Sequence, residues 1–414
     1  MQETLFKTSS DYCEELVENS SLLNTTWLKL GKEALLITDE VDIGSIDLVG
    51  ARVGSNLTRI PSTYNRDNLY CVGQKGRLFQ QEHPNARILI DKGRFLIVEM
   101  DDDLLRACQK GDEPCYGLKL IGNQNIVVFE EVRRQNFRKV PNEHIQKLVS
   151  LVNRSNLESD VTQLVSWSHR FSTSKLYNQA ASWAKDRLDE FGYDVELIEI
   201  PVGSDKSWNV VANKSGNSNS GQDLILVIAH LDSINSSDMP EGVAPGADDN
   251  GSGSAGLLEI ARVFHIINNN HDLRFILFGG EEQGLFGSRF YLDSLSDVEK
   301  NRIIAVLNMD MIGSKHTANP TVLLEGGEIS KSLIDALSEA GATYTSLEIQ
   351  KSLNPFASDH VPFINAGIPA VLTIEGADSS NENIHSENDV IDFIDFYLMV
   401  EILRMNVAFI ASII

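Results

Sequence analysis

Beyond residue 115 the chain has no cysteine; Cys13, Cys71, Cys108 and Cys115 all fall in the first part of a 414-residue sequence. No C-x-x-C spacing occurs, which disfavours a zinc ribbon. The even count, with Cys108 and Cys115 bracketing a turn-like "QKGDEP", is compatible with two disulfides in an oxidising compartment and equally with four reduced thiols. Positive charge is scarce as well: 35 Lys and Arg against 59 Asp and Glu leave a formal net charge of -24. A nucleic-acid binder needs a basic stripe to displace counterions from phosphates, so no nucleic-acid partner is expected. Long uninterrupted apolar runs are also missing. The most apolar tract, 393–414, carries Asp395, Glu401 and Arg404 and reads as a largely buried terminal helix, so no membrane span is expected. The N-terminus lacks a basic start and an apolar h-region; a secretory signal is therefore expected to be absent or already removed.

What is present divides into two domains, since the length exceeds what one compact core usually holds. Residues 1–140 mix short apolar strands ("EALLIT", "ARILI", "RFLIVEM") with the helical "DDDLLRACQKG", and read as a small α+β domain. A charged run and Pro141 make the linker. From 141 to 414, amphipathic helices such as "NQAASWAKDRLDEFGY" alternate with continuous hydrophobic strands: "DVELIEI", "NVVANK", "DLILVIAH", "LRFILFG", "IIAVLNMD", "TVLLEG" and "AVLTIEG". Strands without polar alternation are buried on both faces, so the second domain is expected to be α/β, a sheet covered by helices on both sides.

The strands end in unusual residues. His230 and Asp232 follow "LILVIA", Glu281 and Glu282 follow "RFILFGG", and Asp310 follows "IIAVLNM". Asp248 lies in the Gly-rich "GADDNGSG", and His385 in "NENIHSEND". Each piece alone has an ordinary reading. "GADDNGSG" suits a loop capped into a helix by Asn250 or Ser252, and "EEQG" suits a solvated acidic helix start. Together, and always where an open α/β sheet places its functional crevice, they point to one pocket. Crowded carboxylates repel, so a cation is their natural partner, and mixed imidazole and carboxylate ligands suit zinc. Two metals sharing a bridging carboxylate account for His230, Asp248, Glu282, Asp310 and His385. Glu281 is then left over as a general base for water, with Gly279 and Gly280 permitting the turn that separates it from Glu282. Asp232 is placed to accept the second imidazole N–H of His230 and fix its tautomer.

Over about 142–414, from "SHRFSTSKLYNQAASWAKDRLDEFGYDVE" to the last helix, these residues resemble the M28 metallopeptidases, and among them the bacterial leucyl-type aminopeptidases. The resemblance implies a mixed, mainly parallel eight-stranded sheet sandwiched by helices, of the zinc exopeptidase type. It also implies two zinc ions held by His230, Asp248, Glu282, Asp310 and His385, with Glu281 as general base and Asp232 orienting His230. "SDHVPF" at 358–363 resembles the family's S-D-H-x-x-F segment near the substrate pocket. The implied activity is removal of N-terminal residues from peptides. Alternatives within the resemblance are a single-zinc glutaminyl cyclase, a carboxypeptidase of the same family and an inactive binding protein on the same scaffold. Residues 1–140 fall outside it; by analogy with secreted peptidases they are a pro-segment that covers the site in cis or a permanent accessory domain. The expected location is secreted or periplasmic, with the cytoplasm left open.

Overall fold

The computed structural model describes residues 3–10, 25–39, 58–60, 64–108, 116–132, 137–217 and 223–414. By internal contacts the chain forms two compact units, 1–131 with 350–357, and 132–349 with 358–414. The division thus falls at 131 and not at 140, and a short stretch of the later sequence belongs to the first unit.

The first unit is α+β. Strands Ile126–Glu131, Thr26–Leu30, Glu33–Asp39, Glu3–Ser9 and Thr58–Ile60 lie side by side in that order. A second, antiparallel sheet runs Arg87–Lys92, Phe95–Glu99, Leu69–Gln74, Tyr116–Leu120. Its core gathers Val72, Phe79, Leu96, Val98, Met100, Cys108 and Tyr116. Cys71 and Cys108 are free, buried thiols, so the two-disulfide expectation is not met by the described cysteines. Cys13 and Cys115 lie outside the described residues.

The second unit has helices α1 (Glu143–Val149), α2 (Arg154–Leu164) and α3 (Lys175–Glu190), then strands β1 (Asp194–Val202), β2 (Asp205–Lys214) and β3 (Leu224–His230). Next come α4 (Gly253–Phe264), β4 (Asp272–Phe278), α5 (Phe286–Ser294), α6 (Asp297–Arg302), β5 (Ile303–Met309), β6 (Thr321–Gly326) and α7 (Lys331–Tyr344). The chain finishes with β7 (Glu348–Ser352), α8 (His360–Asn365), β8 (Ala370–Glu375) and α9 (Phe396–Ile413). The sheet order is β1-β2-β4-β3-β5-β8-β6, with β7 after β6. The four central strands β4, β3, β5 and β8 are parallel; β1, β2 and β6 are antiparallel to their neighbours. β7, "EIQKS", has too little apolar character to announce itself, and only its first two residues belong to this unit.

Continuous apolar runs in β3, β4 and β8 are buried on both faces, as an α/β sheet requires. The terminal helix α9 is long and apolar enough to cross a membrane, yet 72% of it is buried within the protein. It packs against α7 and α1. Its internal charges have partners: Glu401 accepts from the Ser346 N–H at 2.6 Å and from Arg404 at 2.8 Å. That pairing makes the burial of a carboxylate tolerable.

Candidate metal centre

β3 runs parallel to β4 on one side and β5 on the other, so their carboxyl ends share one edge. His230 is the last residue of β3; Glu281 and Glu282 follow β4; Asp310 follows β5. Gly280 has φ +73, a left-handed conformation that turns the chain sharply before the two glutamates. The Nε2 of His230 lies 3.3 Å from Asp249 Oδ1, 3.4 Å from Asp310 Oδ1 and 4.0 Å from Glu281 Oε2. Across the site, His385 Nε2 lies 2.9 Å from Glu282 Oε2 and 3.2 Å from Asp249 Oδ2. Every one of these side chains is at least nine-tenths buried.

One expectation is corrected here. The aspartate between the two imidazoles is Asp249, not Asp248. Asp248 turns the other way, where its oxygens are consumed by donors: Gly313 N–H at 2.8 Å, Ser314 N–H at 3.1 Å, the Ser252 hydroxyl at 3.2 Å and the Asn381 amide at 2.9 Å. Oδ1 accepts three of these donors and Oδ2 accepts the Asn381 amide, so both oxygens are engaged by the protein on the side away from the imidazoles. The Asn250 side chain accepts from Gly253 N–H at 2.9 Å at the start of α4 while donating to the Met309 carbonyl; the N-cap position itself is Ser252, which makes no side-chain capping bond.

The Asp232 carboxylate meets the turn after β4 more closely than it meets His230 Nδ1. The backbone N–H groups of Glu281 and Glu282 donate to its two oxygens at 3.4 and 3.2 Å, fixing the turn that carries both glutamates. His230 Nδ1 lies 3.2 Å from the Asp232 carbonyl oxygen and 3.7 Å from its carboxylate. The tautomer is thereby set with Nε2 facing the acids.

Three residues without an individual role at the level of sequence hold this arrangement. Asp389 accepts from the N–H groups of Asp248 and Asp249, both at 2.9 Å, and so aims the loop. Burial, together with the charge of Asp248, pushes its carboxyl up to about 8. Arg170 is fully buried and donates to the carbonyls of Leu231 at 2.7 Å and Gly246 at 2.9 Å, tying the β3 exit to the Gly-rich loop. Ser358, in "SDHVPF", donates to Asp310 Oδ2 at 2.8 Å and accepts from Asn308 at 2.8 Å. No local pattern marks these contacts, because each partner is remote in sequence.

Burial alone disfavours a charged imidazole. At His230 the carboxylates of Glu281 and Asp310, with Asp232 and Asp249, outweigh that penalty and hold its pKa well above the usual range. Burial is outweighed in the same way at His385 by Glu282 and Asp249. The cluster therefore demands positive charge. One proton on His230 Nε2 cannot bridge three acids, and Glu282 Oε1 has no hydrogen-bond partner. Divalent cations between the two imidazoles and the carboxylates would satisfy all of them, so the donor set fits a metal. Asp249 faces His230 with one oxygen and His385 with the other, and the donor atoms of His230, Glu281 and Asp310, and those of His230, Asp249 and Glu282, lie close enough together to share an ion.

Known proteins share this architecture. Residues 209–410 match the description of peptidase family M28. A "probable leucine aminopeptidase" of Trichophyton verrucosum is 30% identical over 277 residues, which cover 64% of this chain and 74% of that protein. A zinc aminopeptidase from Bacillus subtilis aligns over 66% of this chain and 96% of its own, with a TM-score of 0.56 and 18% identity. A glutaminyl cyclase from Porphyromonas gingivalis aligns over 64% of this chain and 99% of its own, with a TM-score of 0.51 and 22% identity. At these identities the structural likeness is one of fold.

Proposed function

Because this chain belongs to peptidase family M28, we propose that it is a two-zinc aminopeptidase in which Glu281 activates the attacking water. The carrying observation is the Asp249 carboxylate, which faces His230 with one oxygen and His385 with the other. His230, Asp310 and Asp249 would hold one ion, and His385, Glu282 and Asp249 the second. Bound zinc would polarise the scissile carbonyl and make water easier to deprotonate near neutral pH.

The chain's own residues do the rest. Glu281, buried except for 7% of its surface, lies 4.0 Å from His230 Nε2, farther than Asp249 at 3.3 Å or Asp310 at 3.4 Å. Its carboxylate takes a proton from the attacking water and delivers it to the amine that leaves as the C–N bond breaks. Asp232 keeps Glu281 and Glu282 in fixed relation through the two backbone N–H bonds, so one remains a base while its neighbour remains a ligand. The concentrated negative charge also favours a substrate that brings a protonated N-terminal amine.

Metal analysis with paired substrates tests this reading. About two zinc ions per chain are expected, with hydrolysis of leucyl and related nitroanilides and none of N-acetylated ones. One ion per chain with cyclisation of N-terminal glutaminyl peptides would instead make the protein a glutaminyl cyclase, a reading kept alive by the shared fold.

A further inference from the structure

β2 and β4 are paired antiparallel as far as Val210 and Leu277. Where that backbone ladder stops, the side chain of the next residue takes over. Asn209, 1% exposed, accepts from the Gly279 N–H at 3.1 Å and donates to the Gly287 carbonyl at 3.0 Å. Gly279 leaves β4 and Gly287 lies in the first turn of α5, so one amide ties together the two ends of the loop that carries Glu281 and Glu282. Within this neck the loop is closed by its own backbone: the Phe286 N–H donates to the Gly280 carbonyl, and the Gly284 and Leu285 N–H groups to that of Glu281, all at 2.9 Å. The two ends meet without slack. A Cβ on Gly287 would stand 2.5 Å from the Gly279 carbonyl oxygen, and one on Gly279 would stand 2.6 Å from the Ser207 hydroxyl, so only glycine lets the neck close. Ser207 in turn donates to the Ser172 carbonyl at 2.8 Å, and the Ser172 hydroxyl to the Gln283 side chain at 2.8 Å, a second tether one residue past Glu282.

Asparagine offers an acceptor and a donor in one rigid plane, which suits it to bridge an N–H and a carbonyl. Asp232 holds the loop through the N–H groups of Glu281 and Glu282, and Asn209 holds it at its base. With the first set of bonds alone, the loop could tilt about Asp232 and carry both glutamates with it. We infer that Asn209 is a positioning residue of this centre: by closing the neck of loop 279–287 it sets how far Glu281 reaches toward His230 and Glu282 toward His385. Every residue involved lies in the second unit. The inference rests on the roles proposed above for the two glutamates.

The test uses the full zinc-loaded chain and three readouts: kcat and KM at saturating zinc, zinc retention on dialysis against a chelator of fixed strength, and hydrogen exchange over 279–287. Asn209→Ala should lower kcat roughly 10- to 100-fold with KM within about twofold, weaken zinc retention about tenfold through Glu282, and speed exchange over 279–287 while β3 stays protected. Added to Glu281→Gln, it should cost less than about threefold more, since both changes act on the same proton transfer. A general loss of stability would neither single out this loop nor depend on Glu281. Wild-type kcat and zinc retention in folded Asn209→Ala, unaltered exchange over 279–287, or penalties that multiply in the double variant would overturn the inference. If Asn209→Ala does not fold, Asn209→Ser, whose hydroxyl stands about 1.2 Å short of both ends, is judged by the same readouts. A wild type that retains zinc but cleaves no aminoacyl substrate would sink the aminopeptidase reading alone, because zinc retention and exchange still decide this one.

Discussion

His230, Glu281, Glu282 and Asp310 stand at the ends of parallel strands, whereas Asp249, His385 and Asp389 stand in loops on the opposite wall of the same centre. The strand wall is positioned by backbone ladders, β3 to β4 and β3 to β5, which fix direction residue by residue. The loop wall is positioned by side chains reaching across more than a hundred residues, as Asp389 does to the N–H groups of Asp248 and Asp249. His385 itself sits at φ +55, a conformation its surroundings must hold. One wall inherits its geometry from the sheet, and the other has to be assembled.

The largest expected effect lies on the strand wall. Glu281→Gln keeps the shape of the side chain and removes its basicity, so kcat should fall by about 10²- to 10⁴-fold while zinc content stays at the wild-type level. Loss of zinc in this variant would make Glu281 a ligand, and the division of labour between the paired glutamates would have to be reversed.

The two walls also differ in how far they can be read from sequence. Strand ends are legible because the hydrophobic run announces where the ladder stops, and the next polar residue must lie at the sheet edge; His230, Glu281, Glu282 and Asp310 are all found there. The sheet itself was legible for the same reason, except β7, whose polar "EIQKS" gives no signal. In "GADDNGSG" two adjacent aspartates point to opposite sides of the loop, and the choice between them is made by Gly313, Ser314 and Asn381, which no local pattern connects to it. Arg170 and Asp389 are invisible for the same physical reason.

The loop wall offers the sharpest contrast, between neighbours. Asp249→Asn should cut zinc content to about one ion per chain or less and lower kcat by something on the order of 10²- to 10³-fold, since the shared carboxylate is weakened for both ions. Asp248→Asn should retain the zinc and change kcat by less than about tenfold. Its cost falls on stability, about 1–3 kcal/mol, because with its oxygen kept on the Gly313 and Ser314 N–H groups its NH₂ would face the Asn381 amide donor in a buried site. Zinc analysis and urea unfolding of the two variants decide the matter. The opposite pattern would restore Asp248 as the bridging residue and show the loop turned over.

The smallest effect concerns a buried acid outside both walls, which measures what burial does when one arginine is the partner. Asp160 on α2 is 4% exposed and meets Arg187 at 3.2 Å. Burial outweighs the arginine and pushes its carboxyl from 3.8 up to about 6. A carboxyl that binds its proton more tightly in the folded chain than in the unfolded one contributes stability that is complete below about 3.8 and is lost as the pH rises through about 6. Between pH 5 and pH 7.5 the wild type should therefore lose about 1 kcal/mol more than Asp160→Asn, measured as the difference in urea unfolding free energy at the two values. If the two proteins run parallel across that range, Arg187 neutralises Asp160 fully. The acids at the metal centre would then owe their need for positive charge to crowding by one another, and burial would have only a minor part.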